Sequence, residues 1–228
     1  MGKPLNFFIS DSSYVALQGV HAMTEPGPYL LTISGTVGEG DEFSFSQFVR
    51  VEDGGYDRES FSVDPTFLDR TVDEAESTYI ASLTAQATSE KLWSGFFEKP
   101  TPYDIFINSY FGTRRSYNGS GFDYFHTGLD FGGGTGTEII CPGNGRVVFA
   151  GPLEIRGNAT IIDHGWGIYT GYFHQSEIRV QVGDMVEEGQ VIGIVGNTGR
   201  STGAHLHWEV WAGGVQVEPY DWLVEQFP

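Results

Sequence analysis

Two short histidine motifs contain the residue types that could do chemistry. The first is His126-Thr-Gly-Leu-Asp130 and the second is His205-Leu-His207. Side chains alternate between the two faces of a β-strand, so His205 and His207 should point the same way, about 6–7 Å apart along the strand. Two histidines and one aspartate are a plausible ligand set for Zn²⁺ that leaves a fourth position open for water, as a catalytic zinc site requires. The motifs therefore predict a metal site, provided that the chain brings them together.

The first motif can bind one ion only if the chain bends within it. A fully extended strand would hold the backbones of His126 and Asp130 about 13 Å apart. We expect the bend at Gly128, because glycine tolerates unusual backbone angles.

Charge and composition limit the possible partners. The chain has 228 residues, of which 12 are Lys or Arg and 30 are Asp or Glu, so its formal net charge is −18. Such a surface repels nucleic-acid phosphates and anionic membranes, and we predict neither as a partner. No run of apolar residues is long enough to span a membrane. The single cysteine, Cys141, rules out an intrachain disulfide, and we interpret it as a small buried apolar residue and not as a nucleophile.

The elements that must position the motifs fall into three segments. In residues 1–65, apolar and polar residues alternate around positions 29–34 and 43–51, and turn formers separate these runs, which predicts a small accessory β-sandwich. In residues 66–100, apolar residues at helical spacing predict a linker containing one helix, from about Thr71 to Ala87. In residues 101–228, short glycine-bounded runs of β-branched residues predict an all-β domain.

The span from about Phe111 to Trp222 resembles the zinc endopeptidase domain of the M23 family, the lysostaphin-type or LytM-like peptidases. The matching motifs, in chain order, are Phe111-Gly-Thr-Arg-Arg115, His126-Thr-Gly-Leu-Asp130, Gly145-Arg-Val-Val-Phe-Ala-Gly151, Ile162-Asp-His-Gly165, Tyr172-Phe-His174 and the stretch from Gly196 to Glu209. They occur in the family's order over about half of the chain, which makes the resemblance specific.

The resemblance implies a fold and a set of residue roles. The fold is mainly β, with a twisted antiparallel sheet below a groove. The implied metal ligands are His126, Asp130 and His207, which would hold one Zn²⁺ per chain. The two remaining histidines, His174 and His205, would be catalytic. One would take a proton from the attacking water and hand it to the leaving amine, and the other would donate a hydrogen bond to the oxyanion, in an order that the sequence does not fix.

The resemblance also implies a substrate and a place. The expected activity is zinc-dependent hydrolysis of peptide bonds in bacterial peptidoglycan. Because peptidoglycan lies outside the cytoplasmic membrane, we expect an extracytoplasmic protein whose export signal or anchor is not part of this chain. Nothing in the sequence indicates the bond that is cleaved, the oligomeric state or the role of residues 1–65.

Four other polar residues are given structural or undecided roles. Glu209 lies on the strand face of His205 and His207, where it could orient a ligand imidazole or be a strand carboxylate near solvent. We interpret His164 as a turn residue outside the site, and Arg114 and Arg115 as partners in structural salt bridges.

Three alternatives were weighed against the peptidase. Residues 182–190 resemble the hairpins of lipoyl or biotin carriers, but a carrier needs a modifiable lysine and none follows Lys99. A phosphocarrier with paired histidines would leave the HxxxD motif without a purpose. The third alternative is a catalytically silent M23-like protein that binds cell wall or activates another hydrolase, which the five intact positions disfavour.

Overall fold

The N-terminal part of the protein consists of short strand pairs. The structure is a computed structural model that describes residues 5–38, 40–63, 68 and 70–228. The first five strands are β1 (Phe8–Ser10), β2 (Ser13–Val15), β3 (Gly27–Val37), β4 (Asp41–Val51) and β5 (Arg58–Phe61). β1 pairs with β2, and β3 pairs with β4 over its whole length, both antiparallel.

The prediction of a β-sandwich is wrong for the described part of residues 1–65. The strands there do not form two packed sheets. A sandwich buries one face of each sheet against the other. In β4, by contrast, every side chain from Asp41 to Arg50 is exposed, including Phe43, Phe45 and Phe48. The alternating pattern predicted strands correctly, but no second sheet covers the β3–β4 hairpin. Residues 64 and 65 lie outside the described residues.

The predicted helix is present as α1, Arg70–Thr84, and ends three residues before the expected Ala87. Its buried side chains, Glu76, Ile80 and Thr84, are spaced four residues apart and so form one face. Ile80 packs in a small apolar cluster with Tyr169, Phe173 and Trp211.

The connector after α1 packs against the C-terminal part. Trp93 and Phe97 are buried, and the Trp93 ring makes edge contacts with the rings of Trp166 and Trp222.

The regular elements of the remaining chain are strands, apart from one short helix. In order, its elements are β6 (Ile107–Ser109), β7 (Arg114–Tyr117), β8 (Tyr124–Phe125), β9 (Leu129–Phe131), β10 (Glu138–Ile140), β11 (Gly145–Leu153), β12 (Gly157–Gly165), β13 (Ile168–Ile178), β14 (Met185–Val186), β15 (Val191–Val195), β16 (Leu206–Ala212), β17 (Val215–Val217) and the helix α2 (Pro219–Val224).

Ten of these strands form one large antiparallel sheet. The main order is β14-β11-β12-β13-β16-β9-β6, with β15 paired to β13 and β10, and β17 paired to β16. The expected fold class, mainly β with a large antiparallel sheet, is confirmed. The smaller sheet β5-β7-β8 joins the first and third segments, since β5 pairs in parallel with β7. The division at residues 65 and 100 stays a prediction.

The core lies around the central strands β12, β13 and β16. All seven residues of β16 are buried, and Trp208 within it is fully inaccessible. Cys141 is also fully buried, and burial raises the pKa of its thiol to about 12, as expected for a packing residue. Among the described residues, no helix is long and apolar enough to cross a membrane.

Candidate metal and catalytic site

The register of three neighbouring strands brings the two histidine motifs together. β16 lies between β9 and β13, with His207 opposite Asp130 on one side and Phe173 on the other. His205 comes one residue before β16 and forms a β-bridge with Gly196. His174 follows Phe173 directly in β13. Asp130 and His207, 77 positions apart in the sequence, thus share one site because their strands are adjacent.

His126, Asp130 and His207 converge on one point. His126 Nε2 lies 3.0 Å from Asp130 Oδ1 and 3.0 Å from His207 Nδ1. His207 Nδ1 lies 2.7 Å from the same Asp130 oxygen. These three residues are the His/Cys/Asp/Glu group that could hold a metal ion within the described part of the chain.

The outer nitrogens of the two histidines show which atoms face the centre. His126 Nδ1 lies 2.9 Å from the carbonyl oxygen of Tyr110, and His207 Nε2 lies 3.0 Å from Glu209 Oε1. Both partners are acceptors at neutral pH, so each outer nitrogen is the one that donates, and each ring in its neutral form points a lone pair inward. Two inward lone pairs and a carboxylate oxygen favour a cation between them, and this donor set fits Zn²⁺.

The electrostatics of the three residues agree with a cation site. Burial opposes ionisation of Asp130, but hydrogen bonds from His126 and His207 hold its pKa well below the usual range. Burial also opposes the charged form of His207, yet hydrogen bonds with Asp130 and Glu209 raise its pKa to about 9. Burial lowers the pKa of His126. In the metal-free protein a proton therefore lies where a metal ion would bind, and metal binding would release it.

His174 and His205 lie side by side next to this centre. Their ring centroids are 4.8 Å apart, and the His174 ring is 6.3 Å from that of His207. Each donates its Nδ1 hydrogen to a backbone carbonyl at 2.8 Å, from Thr198 and Gly203 respectively. When either ring is neutral, its Nε2 therefore carries the lone pair, and Nε2 of His205 lies 3.6 Å from Asp130 Oδ1.

His174 combines an unusual backbone with a neutral ring. Its φ is 62°, in the left-handed region that non-glycine residues rarely adopt. Burial, together with the neighbouring His207, lowers its pKa to about 4. At neutral pH the His174 imidazole is thus uncharged and able to accept a proton.

Glu209 orients His207 and is not a solvent-facing carboxylate. Its side chain is only 1% exposed, and it accepts hydrogen bonds from Thr127 Oγ1 at 2.9 Å and Gln216 Nε2 at 2.8 Å. Burial would raise its pKa, but Arg156 and His207 outweigh this effect and lower it to about 2. Sequence reasoning missed Thr127, Arg156 and Gln216. Thr127 adjoins His126, a signal that could have been followed, whereas the other two carry none.

The bend at Gly128 has a different cause from the one expected. Gly128 is not among the residues with positive φ. A Cβ atom there would lie 2.2 Å from the carbonyl oxygen of Trp208, so glycine is needed for close approach of the backbone to β16. The position was predicted correctly and the reason was wrong.

The other polar residues have structural contacts. His164 is fully buried at the end of β12, not in a turn, and its ring nitrogens bind the Asn144 carbonyl and Thr170 Oγ1. Arg114 donates to the Ala22 carbonyl, and Arg115 forms an ion pair with Glu59 at 3.8 Å and donates to Ser109 Oγ.

The fold and the site together define a class, a mainly β protein with a His/Asp/His centre and two adjoining histidines. Residues 124–219 match the model of Peptidase family M23. All five predicted site residues fall within this match, and the family resemblance is confirmed for this region.

Characterised and solved relatives extend the comparison. Residues of this chain are 38% identical over 121 positions to the peptidoglycan DD-endopeptidase ShyA of Vibrio cholerae, covering 53% of this chain and 28% of that protein. They are 43% identical over 94 positions to the DD-carboxypeptidase/endopeptidase Mpg of Neisseria meningitidis, covering 41% and 22%. The crystal structure of a putative M23 peptidase from Pseudomonas aeruginosa superposes with a TM-score of 0.73 at 26% identity, covering 100% of this chain and 86% of that one.

A second solved relative is a zinc-containing peptidase from Vibrio cholerae, with a TM-score of 0.55 at 31% identity, covering 60% of this chain and 41% of that one. The chain spans about a quarter of the length of the ShyA and Mpg proteins that it matches.

Proposed function

We propose that the protein is a zinc-dependent endopeptidase that hydrolyses peptide bonds of bacterial peptidoglycan. The observation that carries the proposal is the convergence of His126 Nε2, Asp130 Oδ1 and His207 Nδ1, with the outer nitrogen of each histidine already engaged as a donor. A site built this way holds its ligand atoms in place before an ion arrives.

One Zn²⁺ per chain, held by His126, Asp130 and His207, fits this donor set. Imidazole nitrogens suit zinc better than the hard cations Mg²⁺ and Ca²⁺, which prefer oxygen. The similar Vibrio cholerae structure is described as a zinc-containing peptidase, which supports the choice of metal. Zinc in such a site lowers the pKa of a bound water and polarises the scissile carbonyl.

The protein's own residues would move the protons. Nε2 of His174 and of His205 is the nitrogen left to exchange a proton, because both Nδ1 atoms donate to backbone carbonyls. One imidazole accepts the proton of the attacking water and returns it to the leaving amine. The other imidazole, entering the step with a proton taken from solvent on Nε2, donates a hydrogen bond to the oxyanion and keeps that proton. Glu209 holds the His207 ring so that Nδ1 keeps facing Asp130.

The proposed substrate follows from the relatives. ShyA is named a peptidoglycan DD-endopeptidase and Mpg a DD-carboxypeptidase/endopeptidase. Cross-linked stem peptides are therefore the first substrates to test. An activity of this kind places the protein outside the cytoplasmic membrane, where peptidoglycan lies.

The test is to incubate the zinc-loaded chain with purified peptidoglycan and to measure newly exposed amines. We expect amine release that stops with a chelator and returns with added zinc. The matched control is His205→Ala, loaded with zinc in the same way. Binding to the wall without amine release by the wild-type chain would favour the alternative, a silent wall-binding or activating protein.

A further inference from the structure

A buried polar chain connects helix α1 to the proposed metal ligand His207. Glu76 of α1 has a side chain only 5% exposed, and its Oε1 lies 3.1 Å from Nη1 of Arg156. Nε of the same guanidinium lies 3.7 Å from Oε1 of Glu209, which in turn accepts from His207 Nε2 at 3.0 Å. The Arg156 side chain is 12% exposed and lies over the ring of Phe173. These side chains have little contact with water, so each depends on the others for its hydrogen-bond partners.

The same carboxylate of Glu76 also holds the turn between β11 and β12. It accepts the backbone hydrogens of Ile155 at 2.9 Å and of Arg156 at 3.0 Å. Three hydrogen bonds to one buried carboxylate fix this turn, since leaving any of the donors unpaired would cost free energy.

The turn between β11 and β12 also supports His174. The carbonyl of Arg156 accepts the backbone hydrogen of His174 at 2.9 Å. The loop between β15 and β16 is tied to the start of β12 by Thr198, whose Oγ1 accepts from Asn158 N at 2.9 Å and whose carbonyl accepts from His174 Nδ1. This support stabilises the left-handed backbone that His174 adopts, which is unfavourable for a side chain with a Cβ.

We propose that Glu76 and Arg156 are positioning residues that set the orientations of His207 and His174 together. Arg156 acts on His207 through its side chain and Glu209, and on His174 through its carbonyl. Glu76 aligns both contacts from a helix that lies before residues 124–219, the region matching the family. Helix α1 is thereby part of the frame of the active centre. The inference rests on the proposed metal site.

The experiment compares zinc affinity in three variants of the full chain. Glu76→Gln replaces one of the two carboxylate oxygens, both of which accept hydrogen bonds, by an NH2 group that can only donate. Arg156→Lys keeps the charge and the backbone contacts, but one ammonium cannot contact Glu76 and Glu209 together as the guanidinium does. Glu74→Gln makes the same change as Glu76→Gln at an exposed position of α1 and is the matched control.

The expected result is a roughly 10-fold weaker zinc affinity for Glu76→Gln and Arg156→Lys, the usual effect of losing a group that orients a ligand. Glu74→Gln should bind zinc like the wild type. The second measurement is the NMR signal of the His207 Nε2 proton in ¹⁵N-labelled protein, which should broaden or move in both variants. This signal reports the hydrogen bond to Glu209 with or without metal.

The outcomes separate the inference from the proposed function. Wild-type zinc affinity and an unchanged imidazole proton in Arg156→Lys would overturn the inference, even if the variant unfolds at a lower temperature. Loss of fold in both variants would also overturn it, because the residues would then be purely structural. A wild-type chain that binds zinc but cleaves no peptidoglycan would refute the proposed function and leave the affinity comparison valid.

Discussion

Asp130 and His207 lie directly opposite each other on adjacent antiparallel strands, with Oδ1 of Asp130 2.7 Å from Nδ1 of His207. The metal site therefore depends on the register of β9 and β16. A slip of one residue would turn His207 to the other face of the sheet and remove it from the site. Holding this register is the structural condition for all five site residues to meet.

Replacing a proposed metal ligand should abolish metal binding. We expect His126→Ala and Asp130→Ala to weaken zinc binding by more than about 100-fold, since removing only the groups that orient ligands already costs about 10–100-fold. Elemental analysis of the purified variants measures the bound metal. Glu177→Ala, which removes an exposed partner of Arg179, is the control and should keep one zinc per chain. Full zinc occupancy in both ligand variants would show that the ligand assignment is wrong.

Replacing a proposed catalytic histidine should separate activity from metal binding. His174→Ala and His205→Ala should keep zinc and the fold, while peptidase turnover falls by about 10²–10⁴-fold, the usual contribution of proton transfer. Turnover on peptidoglycan fragments, measured alongside zinc content, checks both parts. Unchanged turnover would remove that residue from the mechanism. Zinc loss in His205→Ala would mean that the roles of His205 and His207 are reversed.

Adding a methyl group at Gly128 should disturb the metal site by separating the two strands that hold Asp130 and His207. A Cβ there would meet the Trp208 carbonyl at 2.2 Å, so β9 and β16 must move apart. We expect Gly128→Ala to lower the free energy of unfolding by about 1–3 kcal/mol, as overpacking usually does, and to weaken zinc binding. Urea unfolding and zinc titration measure the two effects. Gly151→Ala, whose Cβ would be 3.7 Å from Phe149, is the control and should be tolerated.

His164 should make the fold sensitive to acid. Complete burial lowers its pKa from 6.5 to about 4, against the hydrogen bond with Asn144. As the pH falls below 6.5 the unfolded chain gains a proton that the folded chain does not. The stability due to the neutral ring is therefore present above pH 6.5 and is lost towards pH 4. It amounts to about 3 kcal/mol, because one pKa unit corresponds to about 1.4 kcal/mol.

The comparison of wild type with His164→Gln isolates this effect. Urea unfolding of the two metal-free proteins between pH 7 and pH 4 gives a difference in the free energy of unfolding, in which the other titrating groups cancel. We expect the advantage of the wild type to shrink as the pH falls. Parallel curves over the whole range would refute the assignment.

Activity on peptidoglycan should depend only weakly on salt. With a net charge of −18 the protein is not drawn to anionic wall polymers, so binding must come from contacts in the groove. Exposed charges are screened within about 10 Å at 0.1 M salt, and attraction by a cationic surface would give a steep loss of activity. Amine release at low and high salt distinguishes the two cases. A steep loss with salt would contradict the prediction.

The sequence by itself determined the chemistry-bearing residues and the fold class. The spacing of His126 and Asp130, and of His205 and His207, singled out the residues that the structure brings within 3.0 Å or in adjoining positions. The alternating and helical patterns predicted strands and the helix α1. These signals are local, because the spacing of ligands within a motif and the periods of strands and helices depend only on residues close together in the sequence.

Tertiary structure alone decided how the elements meet. The β3–β4 hairpin has the alternating pattern of strands in a sandwich, but within the described residues no second sheet covers its exposed side chains. Arg156 is 80 residues from Glu76 and 53 residues from Glu209 in sequence, and no local pattern links the three. Their contact requires α1 to pack beside the turn after β11 and Arg156 to reach β16. Such contacts arise from the packing of whole elements, which periodicity and motif spacing do not encode.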